Sequence, residues 1–253
     1  MSNVDLVFYL AALPAAMLVG LSKGGLPMVG MLGVPVLALA ISPIQAAGLL
    51  LPIFVVSDWF GLWAYRKDYS RRNLAILIPS SIAGVGFGWA TAALIPEAAV
   101  TLMVGVMGLA FCAERVKNRG RERPAKQADV PRGIFWGVLT GFTSFVSHSG
   151  APPYQAYTLP QRLPKMIFAG TSTILFAVVN ATKLVPYWAL GQLSLENIEK
   201  IAVLIPPAVL ATFLGVRITR FLPEKIFFRM IMVTLALISV KLVHDGLVGL
   251  ALV

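Results

Sequence analysis

Charge is the first scarcity. Of the 253 residues only 13% are Asp, Glu, Lys or Arg, while 58% are hydrophobic. An ordinary soluble domain carries roughly 25% charged residues and cannot hide so much apolar surface, so the solvent for most of this chain is lipid. Cysteine is scarcer still. Cys112 is the only one and lies within an apolar run, which excludes an intrachain disulfide and any CxxC redox or metal site. Two histidines, no H-E-x-x-H and no Walker-type P-loop leave no sequence basis for a metal site, a zinc protease or a self-contained ATP-driven pump. No cofactor is expected. The net charge of +10 would suggest nucleic acid in a soluble protein, but the charges are confined to loops, so no nucleic-acid partner is expected.

What is abundant is apolar sequence in helix-length pieces. Val4 to Leu21, Ala46 to Tyr65, Leu74 to Ile95 and Ile201 to Val216 approach the roughly 20 residues that an α-helix needs to cross a bilayer core. A helix satisfies its own backbone polar groups and crosses without water. The first stretch has only Asp5 as a flanking charge and no A-x-A-like site after it, so it reads as a retained span. In all, ten hydrophobic segments are expected: 4–22, 26–41, 44–65, 73–95, 97–113, 132–147, 150–160, 165–190, 196–216 and 226–250. Gly30, Gly33 and Pro35 interrupt the second, and Pro152 and Pro153 open the seventh. The expectation is an all-α polytopic membrane protein with about eight full transmembrane helices and two short broken or re-entrant segments.

Glu114 to Arg132 is polar, with seven basic and three acidic residues and two prolines, and reads as a linker. It divides the chain into a first transmembrane repeat, 1–113, a basic cytoplasmic linker, 114–131, and a second repeat, 132–253. Pro79, Gly88, Pro96 and Glu97 recur at a constant offset as Pro206, Gly215, Pro223 and Glu224. Ala47-Gly48 matches Ala169-Gly170, Asp58 falls opposite Asn180, and Ser22-Lys23-Gly24-Gly25-Leu26-Pro27 resembles Ser147-His148-Ser149-Gly150-Ala151-Pro152. Several pairs in one chain order are the mark of internal repeats. The loops at 66–72, 114–132, 162–165 and 217–229 hold 17 of the 21 basic residues. With ten segments all four fall on one face, the cytoplasmic one, and an odd number of segments per half makes the second repeat inverted.

Ionisable groups at membrane depth are costly and mark function more often than not. Asp58 lies alone in Val56-Ser57-Asp58-Trp59 and is a coupling or gating group, or the counter-charge of a cation; a bare carboxylate would repel an anion. Asn180 and Lys183 share a helix face. Lys183 either supplies positive charge to an anion, pairs with Asp58, or snorkels toward Tyr187 and Trp188. The two Ser-x-x-Gly-x-Pro breaks carry the sharpest expectation: interrupted helices in equivalent places of two inverted halves expose backbone NH groups to an anion. Ser22, Lys23, Gly24 and Gly25 line the first; Ser147, His148, Ser149 and Gly150 line the second. Thr171, in Gly170-Thr171-Ser172-Thr173, adds a hydroxyl.

At these residues the chain resembles the sulfite exporter TauE/SafE family, also described as DUF81-like membrane transporter proteins. The resemblance rests on the Gly20 to Gly25 break, the Pro43 to Gly48 helix entry, the basic midpoint linker, and the Gly141 to Pro152 break followed by Lys165 to Asn180. It implies a multi-pass transporter of the bacterial cell (inner) membrane, not an enzyme, moving sulfite, sulfonates or related small anions, most simply as an exporter working by alternating access. Its partners are then a small anion and the lipid bilayer; a coupling proton and a homodimer stay open. A passive anion channel is the alternative. An intramembrane hydrolase is disfavoured because the adjacent Ser147, His148 and Ser149 point about 100° apart on a helix and form no nucleophile–base pair.

Overall fold

A computed structural model of the chain describes residues 3–92, 94–117, 124–193 and 198–251. Those residues are helical in ten places: α1 Asn3–Lys23, α2 Gly33–Leu37, α3 Pro43–Tyr65, α4 Arg71–Thr91, α5 Glu97–Lys117, α6 Val130–Ser147, α7 Ala151–Thr158, α8 Lys165–Ala189, α9 Ile198–Phe221 and α10 Glu224–Ala251. Short 3-10 turns, Val29–Leu32 and Leu159–Gln161, precede α2 and follow α7. Starts are set by ordinary capping chemistry: Ser42 accepts from the Gln45 N–H ahead of Pro43, and Asp129 accepts from the Arg132 N–H ahead of Pro131.

Seven of these helices, α1, α3, α4, α5, α8, α9 and α10, are long and apolar enough to cross a bilayer. α6 has 18 residues, but its glycines and hydroxyls dilute its hydropathy. About eight full spans are expected from the sequence, and seven helices among the described residues qualify by length and composition. α2 and α7, with five and eight residues, rise about 1.5 Å per residue and are too short to cross a hydrocarbon core of ~30 Å. Both expected interruptions are thus short helices beside the breaks. The linker positions 118–123 lie outside the described residues.

The chain divides into two compact units, and neither is a sequence half. The first unites Met1–Ser70 with Met166–Leu222, the second Arg71–Lys165 with Pro223–Val253. In the first, Phe8, Ala12, Ala15, Ala16 and Val19 of α1 pack with Leu37, with Leu49, Leu50 and Ile53 of α3, and with Leu204 and Ala208 of α9. Small residues let backbones approach where lipid offers no hydrophobic drive between helices. Gly20 faces the Ala208 carbonyl and Gly24 faces Gly215, so α1 and α9 cross backbone to backbone. α3 and α8 meet antiparallel, Asp58 against Asn180, Gly61 against Thr173 and Tyr65 against Gly170.

The second unit has its own close crossing. Gly84 and Gly141 bring α4 onto α6 at the Val138 and Ser81 carbonyls, while Gly88 lies against Phe145. Gly105, Gly108 and Gly246 join α5 to α10. In both units large apolar side chains point outward, including Leu39, Trp59, Leu210 and Leu237, a surface suited to lipid and not to water.

A methyl added at Gly20 would overlap the Ala208 carbonyl, whereas one at Gly86 meets nothing within 4 Å. Gly20→Ala should therefore lower stability by ~1–3 kcal/mol through overpacking. Gly86→Ala should be neutral or stabilising by up to ~1 kcal/mol, since alanine is the better helix former. Thermal unfolding of the detergent-solubilised variants separates the two.

Candidate functional site

The first break is built by glycine. After Lys23 the chain turns through Gly25, whose φ of 105° is a conformation that L side chains rarely adopt. The turn's own amides close back on the helix, Gly24 N–H to the Gly20 carbonyl at 3.0 Å and Gly25 N–H to that of Ser22 at 3.3 Å. Its carbonyls are met from three other helices. Tyr65 Oη and Thr219 Oγ1 both donate to the Gly24 carbonyl, at 2.7 and 3.0 Å, and Thr173 Oγ1 donates to that of Lys23 at 3.3 Å. Ser22 Oγ donates to the Val19 carbonyl at 2.6 Å. The amides of Gly24 and Gly25 are therefore engaged, and the turn serves to place a side chain rather than to present bare NH groups.

That side chain is Lys23. Its Nζ lies 2.8 Å from Asp58 Oδ1 and 4.9 Å from the centroid of the Phe54 ring. Asn180 Nδ2 donates to the other carboxylate oxygen at 2.9 Å. Gly61, one turn beyond Asp58, has no side chain to hold off Thr173 and the Lys23 backbone. Lys183 sits in electrostatic reach of both Lys23 and Asp58. It is 1% exposed, so the snorkelling alternative does not hold. Lys23, which pairs with Asp58, comes from the same half of the sequence.

Lys23, Asp58 and Lys183 are the charged side chains buried among the described residues. Two lysines thus share a low-dielectric interior with one carboxylate, inside lipid-facing helices. Ser57 and Ser172 are also fully buried nearby in sequence to Asp58 and Thr173, and their hydroxyls lack a hydrogen-bond partner among the described residues. Ser172 belongs to the hydroxyl run at 170–173 that the sequence marks, whereas Ser57 stands out only as a neighbour of Asp58, because a serine bonding back to its own helix and one held open for a ligand look alike in a sequence.

The second break, in the other unit, is closed in a different way. His148 takes a left-handed conformation, φ 52°, and its N–H bonds to the Thr143 carbonyl, as does that of Ser149 at 3.1 Å. Ser147 Oγ donates to the Thr143 carbonyl at 3.3 Å, Ser149 Oγ to the Ser147 carbonyl at 2.9 Å, and Thr143 Oγ1 reaches the Ser149 carbonyl at 3.2 Å. This is a C-terminal cap assembled from its own residues. Gly150 starts α7 without a side-chain cap, and Pro152 and Pro153 in the first turn have no N–H to offer. Thr171 is a packing tie: it donates to the Ile167 carbonyl at 2.6 Å and accepts from the Ser70 N–H at 2.9 Å.

Removing one partner of a buried pair strands the other charge, at a cost of ~3–5 kcal/mol, whereas an apolar pair of similar volume is often neutral or stabilising. Asp58→Ala should thus lose several kcal/mol of stability, and the double variant Lys23→Met with Asp58→Leu should regain most of it. A thermal double-mutant cycle measures the difference.

Comparison with known proteins identifies the class. No curated protein and no solved structure matches the chain. The family described as Sulfite exporter TauE/SafE matches residues 12–242, nearly the whole length and both breaks. Its members are membrane transporters, which agrees with a polytopic helical fold holding charge in its interior. The chain belongs to the sulfite exporter TauE/SafE family.

Proposed function

We propose that this protein carries small oxyanions of the sulfite and sulfonate kind across the bacterial cell membrane as an exporter, with the buried lysines of the first unit as the charge that receives them. The carrying observation is that two lysines, Lys23 and Lys183, are buried with one carboxylate, Asp58. A lysine is costly to keep charged in a low-dielectric interior, and an arriving monoanion offsets that cost. Asp58 is the group that keeps Lys23 in place through the ion pair and the Asn180 bond.

Alternating access suits this arrangement, because a site open to water on one side at a time can load and release its anion without letting ions leak through. The recurrence of a close α1–α9 crossing in one unit and a close α4–α6 crossing in the other supports two inverted repeats as the moving parts. In the repeat pairing α1 corresponds to α6 and α9 to α4, and the paired glycines Gly215 and Gly88 both lie at those crossings.

Ligand that binds the folded state raises its melting temperature. Sulfite, thiosulfate or an alkyl sulfonate should raise that of the purified protein, while small cations should not. Lys183→Met should abolish the rise. A protein indifferent to every anion tested overturns the proposal.

Flux in proteoliposomes tests the second role. If Asp58 carries the coupling proton, Asp58→Asn still exchanges labelled anion but no longer accumulates it against a gradient when a pH difference is imposed. Undiminished accumulation leaves Asp58 as a partner of Lys23 only.

A further inference from the structure

The last helix, α10, has two unlike faces. Phe227, Ile231, Leu235 and Ile238 are buried, and Gly246 closes the helix onto α5 at Leu102. On the other face Ile226, Met230, Val233, Leu237, Val240 and Leu247 are exposed. His244 falls among them, four residues after Val240 and three before Leu247, with its side chain 75% exposed. Steps alternating between four and three residues are the a and d spacing of a helix–helix seam. His244 is the polar member of an otherwise apolar row.

The imidazole has charged company. Lys241 Nζ pairs with Asp245 Oδ2, and His244 Nδ1 lies 3.4 Å from Asp245 Oδ1. The lysine and aspartate side chains are 46% and 40% exposed. Two helices fix how deep this trio lies. Gly246 packs at Leu102 and Val243 at Gly105 of α5, five to eight residues past Glu97, or about 7–12 Å along that helix. From there α5 carries no charge until Glu114. On α10 itself Lys241 follows Arg229 by twelve residues, about 18 Å, and uncharged helix continues from Gly246 to Ala251. A hydrocarbon core of ~30 Å that begins at Arg229 therefore takes in all three side chains. Lipid tails offer them no hydrogen bond, and leaving an ion pair and an imidazole against lipid is costly.

We propose that α10 is the seam through which two copies of this chain pair in the membrane, with His244 and the flanking Lys241–Asp245 pair as the polar contact that sets their register. Two copies inserted the same way up and related by a two-fold axis along the membrane normal present the same face to each other, so each seam residue meets its own counterpart. A neutral imidazole has one donor and one acceptor nitrogen and is complementary to a copy of itself. Lys241 and Asp245 cancel within each chain, so the two trios meet without net repulsion. Histidine hydrogen bonds across helices are a recognised glue in lipid, and a single polar residue at an a position fixes register and the number of partners. The pairing is independent of the anion reading above.

Cys112 is the sole cysteine and is buried, so in a Cys112→Ala background one introduced thiol can link only to another molecule. In membranes treated with a mild oxidant, Leu237→Cys and Val240→Cys should each give a disulfide-linked dimer. Leu210→Cys on α9, where the leucine is 70% exposed, should stay monomeric. No dimer from either seam variant, or equal linking from Leu210→Cys, overturns the pairing. The polar contact is read by energy transfer between labelled copies as lipid is added to dilute them. Replacing Lys241, His244 and Asp245 together by leucine should raise the dimer dissociation constant about tenfold, as loss of interhelical hydrogen bonds on both copies requires. A constant within about two-fold of wild type shows that the trio does not hold the pair and overturns its role. Should the triple variant fail to insert, His244→Leu alone is held to the same two-fold limit.

Discussion

The Lys23–Asp58 ion pair is the constraint around which the first unit is arranged. Two opposite charges taken out of water lose several kcal/mol of hydration each, and recover it only where geometry is good and the remaining valences are met. The structure meets those terms by local means. Lys23 stands in the last turn of α1, where the carbonyl end of the helix dipole favours a cation. The turn at Gly24-Gly25 stops the helix there, and Tyr65, Thr219 and Thr173 bind the carbonyls that stopping exposes. Asn180 takes the second carboxylate oxygen. α1, α3, α8 and α9 are thus held by one buried pair and the turn that positions it.

Much of this was readable beforehand, for a physical reason. Lipid imposes a composition and a length on each crossing helix, so spans and their ends are written in local sequence. A lone acid such as Asp58 in an apolar helix is conspicuous in the same way, and the two Gly-Pro breaks mark where helices must end. What the breaks do was not readable. Serine, histidine and glycine are as suitable for closing a helix end as for holding an anion, and which they do depends on partners far along the chain. Asp58 and Asn180 are 122 positions apart, Thr219 and Gly24 are 195. The exchange of helices between halves, with α8 and α9 joining α1 to α3, is equally invisible to any local window.

The polar groups left open differ in kind between the units. In the first they accompany charge: Ser57 beside Asp58, and Ser172 beside the Thr173 that binds Lys23. In the second they are a neutral amide, Gln155 on α7, and a hydroxyl, Ser239 on α10, in a unit without a buried charge among the described residues. Charge gives strength and long reach but little discrimination, because a lysine accepts any anion of suitable size. An amide contributes less energy and more selectivity, since leaving either of its sides unmet is costly.

A carrier needs both properties in limited measure. Binding that is too strong holds the ion in the membrane, and binding that is too weak never strips it of water. If the buried lysines receive an anion as proposed, Asp58 competes with it for Lys23. The ion pair that stabilises the protein would then oppose binding, so strengthening it would give a more stable protein and a poorer carrier.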